Sequence, residues 1–184
     1  EVRDRFENGS VKYTRNFYEK RLASSLMNKF IKLDESWKEV FRTEERSEVE
    51  QVCRDYDVEF SWGKGNSLQI QCTLPAVRDH PDTREKVWFN QAAPWVFHPR
   101  TTGWLKFAIY NIVYPGPGSK PIAVSYGDGV GISPADAAHV IEVVERNTVK
   151  VEWAIGDTLI CDNYLVAHGR MPYRGTRVLA TIMR

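Results

Sequence analysis

His168 is followed within ten residues by Arg170, Arg174 and Arg177. Together these residue types can do one specific piece of chemistry. A neutral imidazole is a good ligand for iron, and a guanidinium grips a carboxylate through two parallel N–H···O bonds. A metal on His168 would take the keto-acid end of a dicarboxylate co-substrate, and a neighbouring arginine would take the far carboxylate. The same residues also suit a plainer role, a histidine capping a strand beside a solvated basic loop.

The other histidines offer less. His139 lies off the apolar stripe of a predicted helix, which suits a solvated side chain, and His98 precedes Pro99 in WVFHPR, where a structural or a pocket role fits. His80-Pro81-Asp82 is a His-x-Asp, and with His168 it would nominally complete a two-histidine, one-carboxylate iron triad. Residues i and i+2 share a face only on a strand, however. Here a proline separates them, and Asp79, Asp82, Thr83 and Arg84 are turn-forming neighbours, so a tight turn into the next strand is the expectation. Cys53, Cys72 and Cys161 form no CxxC pair and lie in no His/Cys cluster of zinc spacing. Free thiols in a reducing, cytoplasmic setting follow.

The elements that must position these groups are short. Val11, Tyr13, Arg15 and Phe17 alternate with Lys12, Thr14 and Asn16, which predicts a strand over Gly9 to Phe17. Ser36 to Phe41 starts a short helix. Val49, Val52, Cys53 and Tyr56 fall at helical spacing behind Glu44, Glu45 and Glu48, giving a helix over residues 44–55. Leu68, Ile70, Cys72 and Leu74 alternate cleanly as a strand, and Val87 to Asn90 forms another. Leu105 to Val113 fits strand or helix. Ser133-Pro134 with Asp136 opens a helix whose stripe is Ala137, Val140, Ile141 and Val144. Val149 to Trp153, Thr158 to Asp162 and Thr176 to Arg184 read as further strands, the last two flanking the His168 cluster. Many short strands, few helices and no βαβ alternation predict a mainly β jelly roll with inserted helices, as one domain over residues 1–184.

With 25 basic and 24 acidic residues interspersed, the chain makes no electrostatic case for nucleic acid or an anionic membrane. It has no apolar run approaching the roughly 20 residues that span a bilayer. A small-molecule substrate is the partner expected.

The stretch DTLICDNYLVAHGRMPYRGTR resembles the C-terminal signature of the taurine dioxygenase and clavaminate synthase-like family of non-haem iron, 2-oxoglutarate-dependent oxygenases. HPDTREKVWFN, residues 80–90, resembles that family's HPxTG loop and the aromatic-Asn strand after it, without the glycine that usually follows the threonine. Tyr126-Gly127-Asp128-Gly129 and Trp153 also fit, in the right order. The resemblance covers roughly residues 50–184 and is looser before them. It implies a double-stranded β-helix, Fe(II), 2-oxoglutarate as co-substrate, and iron held by an early His-x-Asp or His-x-Glu plus a distal histidine. By position that histidine is His168. The arginine on the 2-oxoglutarate carboxylate is Arg177, with Arg174 as the alternative, and Phe89 and Asn90 border the substrate pocket.

One departure is large. The family's His-x-acid pair precedes its HPxTG loop, and no histidine precedes His80 here. The expectation is a domain lacking its N-terminal part. Its fold would be completed by that missing segment or by a homo-oligomer. Two rivals remain at this level: a non-catalytic relative serving as a binding module, and a jelly-roll ligand binder with no oxygenase ancestry.

Overall fold

The computed structural model describes residues 2–18, 35–169, 171, 174–176, 178, 180 and 181. A four-stranded antiparallel sheet is built from β1 (Ser10–Phe17), β2 (Glu59–Trp62), β3 (Leu68–Pro75) and β6 (Ile122–Tyr126), in the order β2-β3-β1-β6. A separate hairpin pairs β4 (Val77–Asp79) with β5 (Lys86–Trp88). Around them lie α1 (Val2–Glu7), α2 (Trp37–Phe41), α3 (Arg46–Asp55), α4 (Ala92–Trp95), α5 (Pro99–Thr102), α6 (Trp104–Val113) and α7 (Pro134–Arg146).

The sheet follows from its period-two pattern. β1 and β3 pair from Ser10 opposite Pro75 to Phe17 opposite Leu68. That register puts Val11, Tyr13, Phe17, Leu68, Ile70 and Cys72 on one face. The other face is a polar ladder: Gln69 Nε2 donates to Asn16 Oδ1 at 2.8 Å, and Gln71 Nε2 to Thr14 Oγ1 at 3.0 Å. Slipping the register by one residue would bury that ladder and expose the apolar row, so the pattern fixes the pairing.

Two apolar clusters form on the sheet. Phe17, Trp37, Val49, Cys53 and Leu68 lock α2 and α3 to the end where β1 meets the start of β3. Phe6, Val11, Ala76, Ala92 and Tyr126 gather α1, α4 and α7 at the other end. Each such large side chain contributes about 1.5–3 kcal/mol on burial. Ser36 caps α2 in a complete capping box with Glu39, and Ser133 caps α7 through the Asp136 amide. Tyr126 O–H donates to Asp136 Oδ2 at 2.8 Å, tying α7 to β6. Burial first, then that acceptor, push the Tyr126 hydroxyl up to about 12.

The described residues form a mixed α and β structure with antiparallel sheets, more helical than the mainly β jelly roll expected, which they do not by themselves complete. Leu105 to Val113, open to both readings by pattern, is helix α6. Short strands β2 and β6 add to the sheet. The strands expected over Val149 to Trp153 and Thr158 to Asp162 carry no ladder, and Val149 and Ile160 are 83 and 91% exposed. Alternation prepares a segment for a sheet, but a strand exists only where a neighbouring edge takes its N–H and C=O groups. The described part of Thr176 to Arg184 is likewise outside any strand, and the rest of that stretch, like most of the loop over residues 18–32, lies outside the described residues. No helix among the described residues is long and apolar enough to cross a membrane.

Candidate functional site

The HPDTRE loop joins β4 to β5 and closes on the backbone of His80. His80 N–H donates to the Glu85 carbonyl at 2.8 Å, and Arg84 N–H to the His80 carbonyl at 3.0 Å. The imidazole caps the same turn from inside: the amides of Asp82 and Thr83 donate to its Nδ1 at 3.2 and 3.1 Å. Two donors on Nδ1 require a lone pair there, so the proton sits on Nε2. Nε2 lies 2.9 Å from Asp162 Oδ2 and donates to it. Both nitrogens of His80, which is 3% exposed, are thus engaged within the protein. The turn reading of His80-Pro81-Asp82 accounts for this geometry, and the imidazole offers a metal no lone pair.

Arg84 stands where the resembling HPxTG loop has glycine, and it takes the left-handed conformation, φ 61°. A side chain there costs about 1–2 kcal/mol, of which glycine's greater unfolded freedom returns part. Arg84→Gly should therefore stabilise the fold by about 0.5–1 kcal/mol, read as a raised urea midpoint. A lowered midpoint would mean that the Arg84 side chain stabilises more than its backbone costs.

Asp162 is the partner that sequence reading missed. It is 82 residues from His80, a separation at which no local pattern reports pairing. Its Oδ1 accepts from the Tyr164 amide at 2.8 Å, and its carbonyl accepts from the amides of Leu165 and Val166 at 3.2 and 3.1 Å. The hydrogen bond from His80, then that from the Tyr164 amide, hold the Asp162 carboxyl below the usual carboxylate range. Tyr164 stands edge-on to His80, with centroids 5.6 Å apart, and stacks on Phe89 at 5.1 Å. The Arg78 guanidinium lies 5.0 Å from the Phe89 ring.

The other sequence-derived candidates fall as follows. Phe89 is half-buried in this aromatic group. Asn90 uses its amide on the scaffold: Nδ2 donates to the Ala76 carbonyl at 2.8 Å, and Oδ1 accepts from the Ala92 amide at 2.9 Å. The neighbouring Gln91 amide donates to Tyr13 Oη at 3.0 Å. His168 is exposed and makes no hydrogen bond among the described residues, so its ring is free to ligate. Arg174 is exposed, whereas Arg170 and Arg177 lie outside the described residues. The structure thus brings the Asp162–Tyr164 turn, Phe89 and the HPDTRE loop together. His98 caps α5 through Nδ1 and stays apart from that group.

An iron site needs three protein ligands with open positions beside them. Among the described residues, no group of three or more His, Cys, Asp or Glu side chains could hold a metal ion. His168 is one free donor and His80 is engaged, so the described donor set does not by itself fit iron.

The sequence profile described as "Taurine catabolism dioxygenase TauD, TfdA family" matches residues 3–183. The chain is 32% identical over 148 residues to the dapdiamide synthesis protein DdaC of Enterobacter agglomerans, a match covering 79% of this chain and 44% of that protein. It is 30% identical over 151 residues to a clavaminate synthase-like protein of Arabidopsis thaliana, covering 80% of this chain and 41% of that one. The profile match covers nearly the whole of this chain. The chain nonetheless spans less than half the length of both relatives.

Proposed function

The chain belongs to the taurine catabolism dioxygenase TauD, TfdA family, and on that premise we propose that it forms part of an oxygenase using Fe(II) and 2-oxoglutarate to oxidise a small organic substrate. The activity proposed is that of the whole protein, with the family's jelly roll as its fold and the cytoplasm as its compartment. One observation carries the reading into this structure. The HPDTRE loop and the DNYLVAH segment, the two stretches that most resemble the family, meet through the His80–Asp162 bond and the Tyr164–Phe89 stack.

His168 is the metal ligand proposed here. The remaining ligands are assigned to no described residue, and no reaction step is built on the metal. Arg177 grips the far carboxylate of 2-oxoglutarate, with Arg174 as the alternative, and Phe89 and Asn90 border the substrate. A bidentate charge-assisted pair is worth about 1.5–3 kcal/mol, so losing it should raise the 2-oxoglutarate requirement on the order of 10- to 100-fold. Arg177→Ala and Arg174→Ala, assayed by succinate formation, separate the candidates. A steep rise for Arg177→Ala alone supports the first assignment, and a rise for Arg174→Ala alone moves the role there. No change in either removes both.

A second reading is favoured by a specific observation, the lack of a three-ligand cluster among the described residues. A relative that builds no iron site would use the same shell as a binding module, completed by another copy or by further chain. Iron(II) binding and 2-oxoglutarate turnover, measured on this chain and on any longer natural form, decide between the two. Turnover by either form supports the oxygenase, and iron binding by neither sinks it.

A further inference from the structure

The function proposed above leaves one chemically capable group unused, the buried imidazole of His80. Capping a turn through Nδ1 needs only one short acceptor, and asparagine, aspartate or serine ordinarily supplies it. His80 does more. Its Nε2–H reaches out of the turn to a carboxylate far along the chain, 2.9 Å away. That carboxylate is used on both oxygens, with Oδ2 on His80 and Oδ1 on the Tyr164 amide, while the Asp162 carbonyl gathers the Leu165 and Val166 amides. Asp162 therefore organises its own turn, and His80 docks that turn onto the β4–β5 hairpin. Among the described residues, no ladder hydrogen bond joins residues 149–169 to the sheet, so this contact has a correspondingly large share in placing them. His168 lies six residues beyond Asp162.

We propose that His80 is a positioning residue: through Asp162 it fixes the turn from which the His168 segment departs. The inference rests on the reading of that segment as half of an oxygenase site, but its geometry is independent of any metal. The tautomer gives the joint its direction. Two amides hold Nδ1 as an acceptor, so Nε2 can only donate, and only an acceptor can face it.

Three substitutions in the full chain test this by amide hydrogen exchange and imidazole NMR, without iron. Asp162→Asn keeps shape and size, but its amide has one acceptor and one donor end. Either orientation sets N–H against N–H, at His80 or at Tyr164. His80→Asn keeps an acceptor near the Nδ1 position, so the turn survives, but it lacks the outward donor. His80→Gln keeps a donor near the Nε2 position. The wild-type His80 ring should show nitrogen shifts of the Nε2–H tautomer. Exchange at Tyr164 and Val166 should quicken about tenfold in Asp162→Asn and His80→Asn, the effect of one lost hydrogen bond of ordinary strength. The His168 ring resonances should move in both and return towards wild type in His80→Gln, while amides of β1 stay protected throughout. The proposal is overturned by unchanged exchange at Tyr164 and Val166, by unmoved His168 resonances, or by loosening that spreads through β1. A wild-type protein that forms no succinate with Fe(II) and 2-oxoglutarate counts against the oxygenase reading alone, because exchange still decides the role of His80.

Discussion

His168→Ala is expected to lower 2-oxoglutarate turnover by more than about 100-fold in any form of the protein that shows it. Losing a partner behind a metal ligand typically costs 10- to 100-fold in affinity or activity, and losing the ligand itself exceeds that. The structure makes this substitution an unusually clean test. His168 is exposed and holds no hydrogen bond among the described residues, so nothing in the described fold depends on its ring. Stability should change by no more than about 0.5 kcal/mol, the usual range for a surface position. Activity lost with the unfolding midpoint unchanged would mark a ligand. Activity and midpoint both unchanged would return His168 to the plainer role of an exposed histidine beside a solvated basic loop. The control is His139, exposed on α7, whose substitution by alanine should leave turnover intact.

How much of this was legible in the sequence depends on how local each determinant is. The β1 and β3 strands could be read because their apolar face repeats every second residue, and the pairing of Phe17 with Leu68 then has only one register that hides both. The α2 and α7 starts could be read because a cap lies within three residues of what it caps: Ser36 with Glu39, and Ser133 with Asp136. Helix α6 stayed ambiguous because WLKFAIYNIV is apolar on most sides, and Trp104, Leu105 and Ile112 do remain exposed on it. β2 and β6 passed unseen because four or five residues of mixed character beside Gly and Pro carry too little period to detect. The C-terminal strands show the opposite failure. Their alternation is plain, yet a ladder needs a partner edge, which alternation within one segment cannot supply. The candidate site divides in the same way. Residue types marked out His168 and the arginines, and turn chemistry marked His80 as a loop histidine. The bond from His80 to Asp162 is a product of the tertiary fold and has no signature in either segment. The turn at Arg84 lies between these cases: the departure from glycine was visible in the sequence, and its left-handed backbone appears only in the structure.

The largest effect on stability is expected from Trp37→Ala, at about 3–5 kcal/mol. Trp37 is 3% exposed and sits among Phe17, Val49, Cys53 and Leu68, where it joins α2 to the sheet and to α3. Its ring meets Trp62 edge-on, with centroids 5.2 Å apart, and Trp62 in turn donates to Glu50 Oε1 at 2.9 Å. Its Nε1–H donates to the Asn66 carbonyl at 2.9 Å, and Arg46 forks onto Asn66 Oδ1 at 2.9 and 2.6 Å. Asn66 has φ 59°, so these bonds pin a left-handed corner between β2 and β3. Alanine removes the packing, the aromatic pair and one restraint on that corner together. Against a typical total of about 5–15 kcal/mol the loss is severe, and it should lower Tm by roughly 6–20 °C. Trp37→Phe separates the contributions: it keeps most of the buried area and leaves the half-buried Asn66 carbonyl to find water, at a cost of about 1 kcal/mol. The two substitutions should shift the urea midpoint in that order with an unchanged slope. A loss below about 1 kcal/mol for Trp37→Ala would mean that α2 does not pack on the sheet in solution. The position of the cluster adds a second discrimination. Trp37 packs where β1 ends, whereas Ala76 and the HPDTRE hairpin follow the opposite end of the β1–β3 pair, about 20 Å away along strands rising about 3.3 Å per residue. At temperatures where Trp37→Phe is still folded, exchange at Tyr164 and the environment of His168 should therefore match wild type. A change there would show that the two apolar clusters on the sheet are mechanically coupled and that β1 transmits strain between them.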